Sequence, residues 1–186
     1  MKVAVYCSAS EMIRPEYFQD AEDLGTRLAV GGHELVYGGG NIGSMGKLAS
    51  AAHRSGVKIT SVIPKFFHDQ ELTFLESDEI ILTEDMQQRR KLMWEKSDCA
   101  VALPGGFGTL EEVIEFLVLN QLSLIEKPLV LANIEGYWDP LLKMFDHMMS
   151  EKMLSEGHRD LVLTADSAVK GLELLKRKTD SMGERP

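Results

Sequence analysis

Short runs of consecutive apolar residues alternate along this chain with longer stretches in which apolar positions recur every three or four residues. A run of four to six apolar residues without polar alternation is the pattern of a strand buried on both faces. Such runs fall at residues 3–7, 34–37, 58–63, 79–82, 99–103 and 128–132, with a weaker one at 160–163. The helical period marks residues 15–30, 44–55, 85–96, 109–123, 138–150 and 165–176. Strand and helix in strict alternation predict an α/β fold: a doubly wound parallel sheet between two helical layers, a three-layer αβα sandwich. No linker or internal repeat interrupts it, so residues 1–178 read as a single domain and 179–186 as a disordered tail.

Composition narrows the function. The chain has 186 residues, 44% of them hydrophobic, enough for one sizeable core. A formal net charge of −9 argues against nucleic acid or an anionic membrane as the main partner. No apolar stretch approaches ~18 residues and no signal peptide opens the chain, so a soluble, cytoplasmic protein is expected. Cys7 and Cys99 fall at strand positions, where buried free thiols are common, and make neither a disulfide framework nor a zinc site. His33, His53, His68, His147 and His158 lack metal-ligand spacing and read as surface residues, and no metal site is expected. Met144, Met148, Met149 and Met153 read as core or subunit contact.

Ligands of doubly wound sheets bind beyond the carboxyl ends of the strands, so the loops at that edge carry the candidate chemistry. The richest is Pro104-Gly105-Gly106-Phe107-Gly108-Thr109-Leu110-Glu111-Glu112, between the fifth strand and a helix. Its glycines allow close backbone approach, and the N–H groups of the first helical turn favour an anion. Glu112 would then stand close to whatever the loop holds. The same residues have a purely structural reading: Thr109-x-x-Glu112 has capping-box spacing, and two acidic residues suit the positive end of a helix dipole.

A second glycine loop, Tyr37-Gly38-Gly39-Gly40-Asn41-Ile42-Gly43-Ser44-Met45-Gly46, follows the second strand. It satisfies G-x-G-x-x-G formally, but the next strand runs into Pro64 without an acidic residue for a ribose hydroxyl. A P-loop fails too, since Gly46-Lys47 precedes Leu48. A generic phosphate- or sugar-binding turn fits. Cys7-Ser8-Ala9-Ser10 is a third loop at the same edge. Asp85-Met86-Gln87-Gln88-Arg89-Arg90-Lys91 sets three cations near a helix start, either as solvated charge or as partners for a phosphate.

Taken in order, these motifs resemble the LOG ("Lonely Guy") family of cytokinin riboside 5′-monophosphate phosphoribohydrolases. Pro104-Gly-Gly-x-Gly-Thr-x-x-Glu112 is similar to that family's signature, and Met86-Gln87-Gln88-Arg89-Arg90 to its Met-x-x-Arg-Lys motif. Val36-Tyr37-Gly38-Gly39-Gly40, Gly43, Met45-Gly46, Val62-Ile63-Pro64, Glu71 and Gln121 extend the likeness over nearly the whole chain. The resemblance implies a Rossmann-like fold, a homodimer, and hydrolysis of the N-glycosidic bond of a purine nucleoside 5′-monophosphate without metal or other cofactor. It makes Arg89 and Glu112 the catalytic pair. It implies substrate contacts at Ser8, Gly39, Gly40, Asn41, Met45, Glu71, Met86 and Arg90, and at Gly105, Gly106, Phe107, Gly108, Thr109 and Glu111. Members are often labelled lysine decarboxylases, yet the chain shows no pyridoxal-phosphate pattern.

Three departures stand out: Arg90 replaces the usual Lys, Cys7-Ser8-Ala9-Ser10 stands for Cys-Gly-Ser-Ser, and Val118-Leu119 stands for Thr-Trp. The last puts the preferred base in question, so AMP is as compatible as a cytokinin nucleotide. Two other classes remain open. The glycine loops alone would serve a non-catalytic protein that binds a nucleotide or nucleotide-like cofactor. A dinucleotide-dependent oxidoreductase is disfavoured by the missing ribose acid.

Overall fold

The structure is a computed structural model that describes residues 1–183. Its strands are β1 (Lys2–Tyr6), β2 (Glu34–Tyr37), β3 (Ile59–Pro64), β4 (Glu79–Thr83), β5 (Cys99–Ala102), β6 (Leu129–Ala132) and β7 (Val162–Ala165). They form one sheet in the order β4-β3-β2-β1-β5-β6-β7, with every neighbouring pair parallel. The helices are α1 (Pro15–Val30), α2 (Gly43–Arg54), α3 (Lys65–His68), α4 (Met86–Glu95), α5 (Phe107–Gln121), α6 (Asp139–Ser150), α7 (Glu156–Arg159) and α8 (Ala168–Gly183). The doubly wound αβα reading of the sequence therefore holds.

The central strands β1, β2, β5 and β6 are almost wholly apolar because both faces are covered, whereas the edge strands β4 and β7 are partly exposed. Val3, Val5, Leu35, Val101 and Val130 pack beneath α1, α2 and α8. The alternate positions Ala4, Tyr6, Ala100, Ala102 and Leu131 pack beneath α4, α5 and α6. On the first face, α1 presses so closely on α2 that a Cβ at Gly25 would lie 2.6 Å from the Leu48 carbonyl oxygen. Asp20 of α1 accepts the Ala168 N–H at 2.9 Å and so fastens the start of α8. Strand order reverses between β1 and β5, which leaves a crevice at their carboxyl ends.

Several expectations change. Helix α8 starts three residues later than expected and continues to Gly183, so residues 179–183 are helical, not a disordered tail; 184–186 lie outside the described residues. The one-turn helices α3 and α7, and a 3-10 turn at Ile134–Gly136, are too short to show a period in sequence. His33 is buried, not a surface residue, while His53 and His147 are exposed and His68 and His158 half-buried. Of the two readings given to the methionines, core fails for Met144, Met148 and Met153, which are exposed in the single chain. Cys7 and Cys99 are buried free thiols. No helix among the described residues is long and apolar enough to cross a membrane.

Candidate active site

A cavity of about 300 Å³ opens where the carboxyl ends of β1, β2, β3 and β5 meet. Cys7 and Ser8 reach it from β1, Gly38 and Gly40 from β2, and Ile63 from β3. Helix α4 contributes Met86 and Arg89, and the α5 turn contributes Gly106, Gly108, Thr109 and Glu112.

Arg89 is 8% exposed, and each edge of its guanidinium has a neighbour. Nε donates to the Val62 carbonyl at 3.2 Å, and Nη1 donates to Glu112 Oε1 at 2.7 Å. Nη2 lies over Gly38, where a Cβ would stand 1.8 Å away. Only a residue without a side chain lets the arginine settle on the end of β2.

Glu112, 5% exposed, comes from the second turn of α5. Burial pushes its carboxyl above the ordinary range, and the Arg89 guanidinium opposes that shift without cancelling it. The capping-box reading does not survive. The N-cap is Gly106, the helix begins at Phe107, and the Glu112 carboxylate is taken by Arg89.

The two glycine loops differ in what they offer a ligand. Gly106 caps α5 without a side chain, and the first helical N–H bonded within the turn is that of Leu110, to the Gly106 carbonyl. The N–H groups of Phe107, Gly108 and Thr109 precede it at the cavity edge and make an anion-receptive terminus. The start of α2 is covered instead. Met45 N–H donates to the Ser8 carbonyl at 3.2 Å, and the Ala9 carbonyl lies against Gly43, whose φ is +61°. The second loop therefore supplies a wall, formed with Ile42 and Met45, rather than a second anion site.

Of the residues singled out in sequence, Ser8, Gly40, Met45, Met86, Gly106, Gly108 and Thr109 line the cavity with Arg89 and Glu112. The others stand apart from it. Gly39 backs onto Ile63 and Ser61. Asn41 is exposed and its Nδ2 donates to the Glu71 carbonyl at 3.1 Å, while Glu71 itself is exposed with a φ of 61°. Gly105 accepts the Tyr137 hydroxyl at 2.7 Å. Phe107 is 92% exposed. Arg90 and Glu111 are engaged with each other at 2.9 Å. Sequence reasoning missed Gly38 as a site residue, along with the apolar wall of Ile42, Ile63, Phe67 and Leu72. Phe67 and Leu72 carry one signal: they are apolar residues in a stretch that belongs to no strand or long helix.

Fold and site together define a Rossmann-like α/β protein whose cavity joins an open helix N-terminus to a buried arginine–glutamate pair. A family model described as "Possible lysine decarboxylase" matches residues 45–175. Two curated relatives from Arabidopsis thaliana are the cytokinin riboside 5′-monophosphate phosphoribohydrolases LOG4 and LOG1. LOG4 is 39% identical over 95% of this chain and 80% of its own length. LOG1 is 38% identical over 96% and 83%. The chain belongs to this family, the LOG phosphoribohydrolases. Among solved structures, the molybdenum cofactor carrier protein of Chlamydomonas reinhardtii superposes with a TM-score of 0.73 at 22% identity, covering 97% of this chain and 98% of that one. That likeness is one of fold.

The geometry at Gly38 makes a direct prediction. Gly38→Ala is expected to fold, because β2 itself is undisturbed, but to expel the Arg89 guanidinium from its place. A crystal structure of the variant checks this: the Arg89–Glu112 contact is expected to open beyond hydrogen-bond range.

Proposed function

We propose that this protein hydrolyses the N-glycosidic bond of a purine nucleoside 5′-monophosphate, releasing free base and ribose 5-phosphate. The observation that carries the reading is the placement of Glu112 on the same helix whose open N-terminus faces the cavity. At about 1.5 Å of rise per residue, Glu112 lies about 7.5 Å along the axis from Phe107, the scale of a ribose 5-phosphate. A phosphate held by the N–H groups of residues 107–109 would set the sugar over Glu112 and Arg89. The base then meets the wall of Ile42, Met45, Ile63, Phe67 and Leu72. As the bond to the base lengthens, positive charge grows on the ribose, and the carboxylate beneath it stabilises that charge. The same carboxylate can orient and deprotonate the attacking water, whose hydroxyl ends on C1′ while the base leaves with its bonding pair and takes up a proton from solvent. Arg89 holds the carboxylate in place and offers its remaining N–H groups to substrate. The wall accepts adenine, whether plain as in AMP or carrying an apolar substituent as in a cytokinin nucleotide.

The family's relatives are named for this reaction on cytokinin riboside 5′-monophosphates. A dimer fits the exposed side of α5, where Ile114, Val118 and Leu122 follow each other at one-turn spacing and are 37%, 44% and 60% exposed. Burying this stripe against a symmetry mate removes it from water. The buried free thiols Cys7 and Cys99 suit a reducing cytoplasm.

Three outcomes are expected. Incubation with AMP or isopentenyladenosine monophosphate, without added metal, releases free base and ribose 5-phosphate, whereas the matching nucleosides are much poorer substrates. Equal turnover of AMP and adenosine would remove the phosphate from the α5 terminus.

The ionised carboxylate is the working form of Glu112, and burial raises its titration point. The rate therefore falls as pH drops through a value above the ordinary glutamate range, near 4.3. Glu112→Gln keeps an acceptor for Arg89, still binds nucleotide, loses that acid limb, and slows turnover by roughly 10²–10⁴-fold. A variant with the parent's rate and pH profile would leave Glu112 no part in the chemistry.

Light scattering at micromolar concentration is expected to give twice the chain mass, and Val118→Asp to give monomers.

A further inference from the structure

Arg90 does not enter the cavity; its side chain, 12% exposed, turns toward α5. Nε donates to Glu115 Oε2 at 2.9 Å, and Nη1 lies 2.9 Å from Glu111 Oε1. These two carboxylates stand one turn apart on α5 and bracket Glu112. The preceding residue, Arg89, holds Glu112 itself at 2.7 Å. Two consecutive arginines of α4 thus grip three glutamates of α5. Both helices bury their inner faces in one core, Met93 of α4 in the same cluster as Val113 and Phe116 of α5, and the cavity opens between their amino-terminal ends. Outside that core, the arginine–glutamate pairs tie one helix to the other.

We propose that Arg90 is a positioning residue: by bridging Glu111 and Glu115 it sets the rotation of α5 against α4, and so aims Glu112 and Arg89 at the same bond. This rests on the phosphoribohydrolase reading above. The planar guanidinium fork presents two edges to two carboxylates at once, whereas an ammonium is a point charge that serves one well. Glu111 is half exposed and Glu115 a third exposed, so water screens the bridge and its worth to stability is small. Its effect on geometry is larger, because misplacing a catalytic group by about 1 Å can cost 10²-fold in rate. There is also a charge effect. Glu112 is faced by Arg89 and Arg90 from α4, by Tyr6 and Cys7 at the end of β1, and by Glu111 on its own helix. Taking Arg90 away leaves Glu111 and Glu115 uncompensated beside it.

The test compares Arg90→Gln, Arg90→Lys and Glu115→Gln with the parent. Steady-state kinetics on AMP across pH are read together with the Glu112 carboxyl titration, followed by ¹³C NMR and assigned with Glu112→Gln. For Arg90→Gln, kcat is expected to fall by about 10- to 100-fold, with KM within about twofold of the parent. The acid limb and the Glu112 titration both move to higher pH. Arg90→Lys, which keeps the charge, recovers part of kcat and restores the titration. Glu115→Gln, which removes one half of the bridge, lowers kcat less than Arg90→Gln. A rise in KM at unchanged kcat would overturn the proposal by making Arg90 a substrate contact. Parent-like kinetics and titration in all three variants would reduce the bridge to a surface ion pair. If the parent hydrolyses no nucleotide, the hydrolase reading fails by itself. The Glu112 titration then still decides the positioning: displaced in Arg90→Gln and restored in Arg90→Lys supports it, and unmoved overturns it.

Discussion

A guanidinium and a carboxylate that both lie almost out of water are expensive to keep, and the Arg89–Glu112 pair imposes that requirement on its surroundings. Each charge needs more than its partner. Arg89 finds a carbonyl at Val62 and a bare patch of backbone at Gly38; Glu112 finds the second turn of a helix that orients it. Strands β2 and β3 and helices α4 and α5 therefore converge on one ion pair. An apolar pair of similar volume would hold these elements together as well or better. Charges kept in such a place make sense as chemistry.

The rest of the cavity is organised by an asymmetry between two helix starts. Both α2 and α5 follow glycine-rich turns at the same edge of the sheet, and by dipole alone they are equivalent. The carbonyls of Ser8 and Ala9 occupy the first and leave the second open. The cavity thus combines one anion-receptive helix terminus, one buried ion pair and an apolar wall.

Much of this was legible in the sequence, for identifiable reasons. Strands buried on both faces write themselves as unbroken apolar runs, so β2 was placed to the residue and the other strands within about two. Arg89 and Glu112 stood out because a charge beside a glycine turn at the carboxyl edge has few structural duties. The capping box misled because Thr109 and Glu112 have the right local spacing, while the partner that claims the carboxylate is 23 residues away. The partners of Arg90 were hidden for the same reason: its neighbours in sequence are other cations, and the glutamates it meets lie on another helix. Phe67 and Leu72 left almost no trace, since a single turn such as α3 gives no periodicity to read.

The tight crossing of α1 and α2 has a consequence for how such a site could diversify. Ile42 and Met45 ride on the start of α2, and α2 is wedged against α1 at Gly25 with no room for even a methyl group. That side of the cavity inherits its shape from the core, and a change of shape there would require a change of packing throughout the layer. The rest of the wall, Phe67 and Leu72, comes from a one-turn helix and a segment that passes through the left-handed Glu71. That segment is laced to the second glycine loop, since Asn41 N–H donates to the Leu72 carbonyl at 3.0 Å and Phe74 N–H to the Gly39 carbonyl at 2.9 Å. Those bonds use backbone atoms alone, so the Phe67 and Leu72 side chains can be exchanged without cutting them, and the wall can be recontoured where its backbone cannot be moved.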